Sequence, residues 1–451
     1  MVLIYIQVPP VIPLVAHLSQ LSYRSLLSSL ANAATRLQQT RLLIQSIYDI
    51  RFNPVKEFNT LETTHCRTLE ALAESLDEFV RGVDRWCAKR EEELFHSQRG
   101  HGKQLVISLL SFEGSLRQRM AGVLEVVDVV LRKITHKAAA VPVISNDDPS
   151  PIHATDFALY HPSILSTLIL DGLFAAIHEQ LSMGETATSH VLLGIFTHTA
   201  QPIWSSIGRW LRDGMDAVEG EEIHGGPMQD EELFIEKGDV PLGSPEFWDE
   251  GYRLRRVAED ADHSTPTQRR DDVPEVFRAI SQHVLAAGKE VGLLRAMGLD
   301  TPASFRMQEH KWPSFKQLYA RSEENASKEL ELATLPLAGE SRILDATAGM
   351  RWASDTLVAT VQDYAVSVCQ DAHSQLIRVL KEDCELLRHL SGMQALFLMR
   401  RGDIISEWCD GVFAKVCLEI DILLIVLTSP RSTRGSDGAT FTSLTVRFKI
   451  S

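Results

Sequence analysis

Cysteine and aromatic residues are scarce in this chain of 451 residues. The sequence contains six cysteines, and aromatic residues make up 7% of it. No two cysteines form a CxxC pair, and none lies at zinc-finger spacing from a histidine. This usage argues against a structural zinc site and indicates reduced thiols in a cytosolic or nuclear protein.

Short motifs that carry catalysis are also missing. The sequence contains no GxxxxGK[ST], GxGxxG, GxSxG or HExxH. His190 and His198 lie eight residues apart on one predicted helix, but two ligands without a third are weak support for a metal site. The acidic residues around Asp230 have the pattern of a solvated loop. We therefore predict no catalytic, cofactor-binding or metal-binding residues, and no enzymatic activity.

No long apolar run is present that could cross a membrane. Residues 1–14 are apolar, but three prolines interrupt them, no basic leader precedes them and no small-residue cleavage site follows. A helix needs roughly 20 apolar residues to cross a bilayer. The prediction is a protein that has no signal peptide and is not embedded in a membrane.

Positive charge is outnumbered by negative charge. The chain has 60 acidic and 45 basic residues, which gives a formal net charge of −15. An acidic protein repels the phosphate backbone, so broad nucleic-acid binding is not expected. With 44% hydrophobic and 23% charged residues, the composition is that of a folded globular protein.

Helical periodicity dominates the sequence that remains. Apolar residues recur at steps of three and four over long segments, which predicts amphipathic helices. Several long helical segments predict an all-α fold, an elongated bundle of long antiparallel helices with a loop-rich insertion near 216–248. The predicted helices cover about 16–48, 60–95 (with Thr60 as N-cap), 105–134, 163–183, 186–213, 274–297 and 352–398.

Aromatic residues concentrate in one patch of the chain, between about residues 201 and 256. Such a patch is explained by a core cluster, where a loop folds back on the bundle. It is also explained by a protein–protein surface, where Trp, Tyr and Arg are enriched. The sequence alone leaves both interpretations open. The patch contains Trp204, Trp210, Phe234, Phe247, Trp248 and Tyr252.

An ordered series of motifs runs through this patch and beyond it. The chain reads WLRDG at 210–214, ELFI at 232–235 and WDEGYRLR at 248–255. A proline-led helix ending in a Gly-Lys turn follows at 274–289, and FLMRRGDII lies at 397–405. The residues that define the series are Trp210, Gly214, Phe234, Ile235, Trp248, Tyr252, Leu254, Pro274, Gly288, Lys289, Gly402 and Asp403.

In this order and spacing, the series resembles the gamma-tubulin complex components, also called spindle pole body components. Together with WPSF at 312–315, these segments are similar to those of the fifth or sixth component type of fungi. The resemblance implies an N-terminal helical domain over 1–298 that makes lateral contacts, and a partly ordered connection over 299–345. Residues 346–451 would then begin the C-terminal helical domain, which carries the family's gamma-tubulin-binding surface and is expected to be incomplete here.

The resemblance further implies a non-enzymatic scaffold that contributes to microtubule nucleation and mitotic spindle assembly. Its expected partners are other gamma-tubulin complex components and gamma-tubulin. Its expected location is the cytoplasmic cytoskeleton, at the spindle pole body or another microtubule-organising centre. The alternative is a generic helical tether or complex-assembly subunit with no tubulin role, since such proteins share long helices, acidic charge and an absence of catalytic motifs.

Overall fold

The residues that the structure describes fold almost entirely into α-helices, as predicted. The structure is a computed structural model, and it describes residues 19–52, 66–98, 108–120, 122–139, 152–157, 160–215, 231–240, 244–256, 272–297, 312–333, 344–398 and 402–428. The α-helices are α1 (Gln20–Phe52), α2 (Arg67–Gln98), α3 (Leu109–Met120), α4 (Val123–Ala139), α5 (Pro162–Ser182), α6 (Thr186–Thr199), α7 (Gln201–Asp213), α8 (Glu275–Arg278), α9 (Ser281–Ala296), α10 (Phe315–Ala333), α11 (Leu344–Glu382), α12 (Leu386–Phe397) and α13 (Gly402–Thr428).

A single small sheet is the exception within the described residues. Strand β1 (Ile235–Lys237) pairs antiparallel with strand β2 (Tyr252–Leu254), and Ile235 lies opposite Leu254. A π-helical turn, Phe247–Gly251, leads directly into β2. Strand β1 lies inside the range 216–248 that was predicted to be loop-rich. Its partner β2 begins four residues beyond the end of that range. Of that range, residues 231–240 and 244–248 are described.

The chain divides into two compact units, Met1–Leu376 and Ile377–Ser451. In the first unit, α2 packs against α1 and α6, α5 packs against α4 and α6, and α7 packs against α9. Their facing side chains form one continuous hydrophobic core. The second unit contains α12 and α13, which pack against each other.

Four of the predicted helices are each divided in two. Those over 274–297 and 352–398 divide after Arg278 and after Glu382, and the other two divide for local reasons. The segment predicted over 105–134 breaks at Gly122, whose φ of 69° places it in the left-handed region where glycine is favoured. The segment predicted over 186–213 breaks at Ala200, because Pro202 in the first turn of α7 has no N–H to continue the helical hydrogen bonds. Predicted Thr60 lies outside the described residues, and α2 begins at Arg67.

The segment interpreted as a partly ordered connection, 299–345, contains the helix α10. Its first turn is anchored, because the side chains of Phe315 and Leu318 are fully buried. The core of the first unit also includes Leu357 and Val361 from α11. Division of the chain near residues 299–345 remains a prediction.

One helix within the described residues, α5, is long and apolar enough to pass a test for a membrane span. The core helix of a folded domain passes the same test, and 56% of the apolar window in α5 is buried inside the first unit. Its apolar residues are therefore explained by core packing against α4 and α6.

Candidate functional site

All but one of the motif residues of the first unit meet where the end of α7 crosses α9, a region called the Trp210 junction below. The indole of Trp210 is fully buried, and its Nε1 donates a hydrogen bond to the Val284 carbonyl oxygen at 2.8 Å. Gly288 lies one turn further along α9, and a Cβ there would collide with the Trp210 ring. Glycine at this position therefore lets a full indole side chain lie against the helix backbone.

Gly214 ends α7 and brings the chain against α9. Its φ is 71°, and its N–H donates to the Trp210 carbonyl oxygen at 2.9 Å, which caps the helix. A Cβ on Gly214 would lie 2.5 Å from the backbone nitrogen of Gly292. The next amide, of Met215, donates to the Gly288 carbonyl oxygen at 3.1 Å. Gly292 and Met215 complete the crossing although no motif singled them out.

The two-stranded sheet covers the other side of the Trp210 ring. The rings of Trp210 and Tyr252 lie 5.5 Å apart between centroids, and Phe247 meets Tyr252 edge-on at 6.0 Å. Phe234, Ile235 and Leu254 are buried on the same hairpin. The segments around Trp210 and Trp248, two of the motifs that carry the resemblance, therefore pack together.

Lys289 fastens the π-helical turn to α9. Its ammonium group donates to the backbone carbonyl oxygen of Trp248 and lies 5.7 Å from the centre of that indole ring. Burial lowers the pKa of Lys289, and the nearby Asp249 carboxylate opposes that shift. The Trp248 ring itself remains 43% exposed. Of the six aromatic residues in the patch, the other five are buried, so the core interpretation holds for them.

The remaining motif residues lie elsewhere. Pro274 is buried and caps α8, in which the Phe277 ring stacks on Trp204 at 6.2 Å. Gly402 and Asp403 begin α13 in the second unit.

A second aromatic contact ties the segment after residue 311 to α7. The Trp204 Nε1 donates to the Pro313 carbonyl oxygen at 2.8 Å, and the Trp312 Nε1 donates back to the Trp204 carbonyl oxygen at 3.1 Å. Their ring centroids are 4.7 Å apart. Gly208 faces the Trp312 ring so closely that a Cβ would lie 2.7 Å from it. The WPSF segment is therefore a docking element for α10.

Glu232 caps a helix far away in sequence. Its carboxylate accepts hydrogen bonds from the Arg67 backbone N–H and from the Thr68 hydroxyl, the latter at 3.0 Å, at the start of α2. An anion at a helix N-terminus is favoured by the helix dipole. Burial raises the pKa of the neighbouring Cys66 thiol to about 12, and Glu232 acts in the same direction. The acidic residue of the ELFI motif is thus structural, which spacing alone did not reveal.

A buried polar group joins the start of α5 to the end of β2. The Ser163 amide donates to His161 Nδ1 at 3.3 Å, and Arg255 Nη1 lies 3.1 Å from His161 Nε2. The Ser163 hydroxyl donates to the Asp272 carboxylate at 2.9 Å. Burial, followed by the Arg255 charge, lowers the pKa of His161, whereas burial raises the pKa of Asp272. No sequence motif singled out this group.

The histidines considered as metal ligands are not assembled into a site. His190 is exposed, and His198 Nε2 lies 3.4 Å from a carboxylate oxygen of Glu74. Within the described part of the chain, no group of three or more His, Cys, Asp or Glu side chains could hold a metal ion. Asp230 lies outside the described residues.

Comparison with known proteins assigns the N-terminal part of the chain to a family. The family model described as "Gamma tubulin complex component N-terminal" matches residues 8–383. A comparison with curated proteins finds no match. The matched range includes the Trp210 junction and extends through α10 and to the end of α11.

Proposed function

Because this chain belongs to the gamma-tubulin complex component family, we propose that it is a scaffold subunit that makes lateral contacts with other components of the complex. Members of the family are structural subunits and not enzymes. In this role the chain contributes to microtubule nucleation at the spindle pole body or another microtubule-organising centre, and to assembly of the mitotic spindle.

The observation that carries this proposal is the family match over 8–383, supported by the Trp210 junction within it. Residues of four separate motifs come together there, although Trp210 and Lys289 are 79 positions apart in the sequence. These contacts hold α7, α9 and the hairpin in one arrangement. A rigid helical unit is suited to presenting a contact surface without losing much conformational entropy on binding.

Lateral contact explains nucleation without chemistry on this chain. When each subunit contacts the next with the same small rotation, the assembly closes into a ring or continues as a helix. Tubulin subunits held by such an assembly no longer have to lose translational and rotational freedom one at a time, so the barrier to nucleation falls.

A pull-down from cell extract tests this role. The purified chain is the bait, and the recovered proteins are probed for other gamma-tubulin complex components and for gamma-tubulin. We expect the other components to be recovered. A Trp408→Glu bait, altered only in the second unit, should recover the same components, because the lateral contacts are assigned to the first unit. Recovery of no component by a correctly folded bait would contradict the proposal.

A further inference from the structure

The imidazole of His161 lies between two hydrogen-bond donors where the start of α5 meets the end of β2. Its Nδ1 is 3.3 Å from the backbone nitrogen of Ser163, and its Nε2 is 3.1 Å from Nη1 of Arg255. A neutral imidazole accepts a hydrogen bond at one nitrogen only, and a protonated imidazole accepts at neither. Neutral His161 therefore satisfies one of the two donors, and protonated His161 satisfies none.

The backbone holds Arg255 next to this imidazole. The Arg255 N–H donates to the Phe234 carbonyl oxygen at 2.8 Å, and the Arg255 carbonyl oxygen accepts from the Asp272 N–H at 2.9 Å. In the part of the chain that the structure describes, the Nε of Arg255 is buried without a hydrogen-bond partner. The guanidinium group therefore depends on the contact with His161, and a positive imidazolium 3.1 Å away would repel it.

Four charged groups face the imidazole from the neighbouring elements. Arg255 disfavours the imidazolium, whereas the carboxylates of Glu231 and Glu236 in the β hairpin and of Asp272 before α8 favour it. Burial and the Arg255 charge outweigh these three carboxylates, so the pKa of His161 is lowered. The folded contact therefore favours the neutral imidazole, in agreement with the two donors that surround it.

We propose that the contact between His161 and Arg255 is an acid-sensitive switch, and that protonation of His161 separates the start of α5 from the end of β2. The imidazolium repels the guanidinium and presents a donor to each of its former partners. The separation is local, because the ring contact of Tyr252 with Trp210 holds the rest of the β hairpin in place. The switch would act in the same way whichever partners the chain binds.

Hydrogen exchange of the full-length chain at pH 7.5 and 5.5 tests this inference, with rates corrected for the intrinsic effect of pH. The reporters are the amides of Arg255 and Asp272, whose hydrogen bonds break when the end of β2 moves away. An imidazole free of these contacts has a pKa of about 6.5, so the opening equilibrium should increase by up to about tenfold between the two pH values. The Trp204 amide, which donates to the Ala200 carbonyl oxygen inside the core, should not change.

Two substitutions identify the histidine that is responsible. His161→Asn removes the titrating group and keeps a favoured N-cap residue at the start of α5, so it should abolish the increase. His190 is exposed on α6, and His190→Asn should leave the increase as it is in the wild type. Both variants retain Asp272, whose pKa is raised by burial. Protonation of Asp272 is therefore favoured in the closed state and cannot cause the opening.

Three results would overturn the inference. The first is wild-type exchange at both reporters that does not depend on pH after the correction. The second is an increase that persists in His161→Asn. The third is an equal increase at the Trp204 amide, because the whole unit would then unfold at pH 5.5 and no local separation would be involved.

Discussion

The Trp210 junction and the α12–α13 hairpin use large apolar residues in opposite ways. Trp210 is fully buried, and its indole N–H and both ring faces have partners within the first unit. Trp408 is 68% exposed on a helix that shares its hairpin with one other helix. An aromatic residue stabilises a fold only where the chain supplies a surrounding surface, and two helices cannot surround their own apolar faces.

This difference predicts how substitutions affect stability. Changes at the Trp210 junction should be detected mainly in the free energy of unfolding of the first unit. Changes of exposed side chains on α12 and α13 should leave that free energy nearly unchanged. Four predictions test the first half of this comparison, with a control in each case where the chain offers one.

The largest effect is expected from Trp210→Ala. Removing a fully buried indole leaves a cavity and deletes its hydrogen bond to the Val284 carbonyl oxygen, which should lower the free energy of unfolding by about 3–5 kcal/mol. Chemical denaturation followed by circular dichroism measures the loss. Trp408→Ala is the matched control, since it removes the same side chain from an exposed position. It should leave the transition of the first unit within about 0.5 kcal/mol. Equal losses for the two variants would abolish the distinction between the regions.

Gly288→Ala is expected to cost about 2 kcal/mol. The added methyl group collides with the Trp210 ring, and overpacking of this kind costs about 1–3 kcal/mol. Gly194 in α6 is the matched control, because no atom lies within 4 Å of a Cβ placed there. Gly194→Ala should raise the free energy of unfolding by about 0.5–1 kcal/mol through helix propensity. Opposite signs for these two Gly→Ala changes would confirm close packing of Trp210 on α9.

Removal of the helix cap should have a smaller effect. Glu232→Ala deletes the carboxylate that accepts from the first turn of α2, and loss of a cap costs about 1 kcal/mol. The neighbouring Glu231 is exposed, and Glu231→Ala should change the free energy of unfolding by less than about 0.5 kcal/mol. Thermal unfolding of both variants decides the question. A cap that contributes nothing would leave the two variants alike.

The smallest effect concerns pH. His161 faces two donors, the Ser163 amide and the Arg255 guanidinium, and protonation removes its last acceptor nitrogen. Its pKa in the folded state is lowered below the unfolded value of about 6.5. The unfolded state therefore binds more protons as the pH falls below about 6.5, and stability decreases in that direction. His161→Asn should make the free energy of unfolding between pH 7.5 and 5.5 less dependent on pH. An unchanged slope would contradict this assignment.

The sequence predicts the helical fold because the spacing of apolar residues within a segment is enough to identify that segment as a helix. It identifies the Trp210 and Trp248 segments because their residue types are distinctive. It does not predict that Glu232 caps α2, since that contact joins residues 164 positions apart that share no pattern. Gly292 and Met215 were missed for the same reason, because their close approach depends on the crossing of two helices.

The break at Pro202 was within reach of sequence reasoning. A proline three residues after the end of α6 is a known signal for a new helix start, but the apolar periodicity on both sides obscured it. The hairpin partner of β1 was harder to find, because three-residue strands are too short for a period of two to be recognised.

Reconstitution from purified proteins tests the central claim, that this chain is a lateral scaffold, most directly. The chain is mixed with purified gamma-tubulin complex components in the absence of gamma-tubulin, and the mixture is separated by size-exclusion chromatography with light scattering. Our account predicts that the chain elutes with at least one component as a complex of defined mass. A folded chain that elutes apart from every component would contradict it.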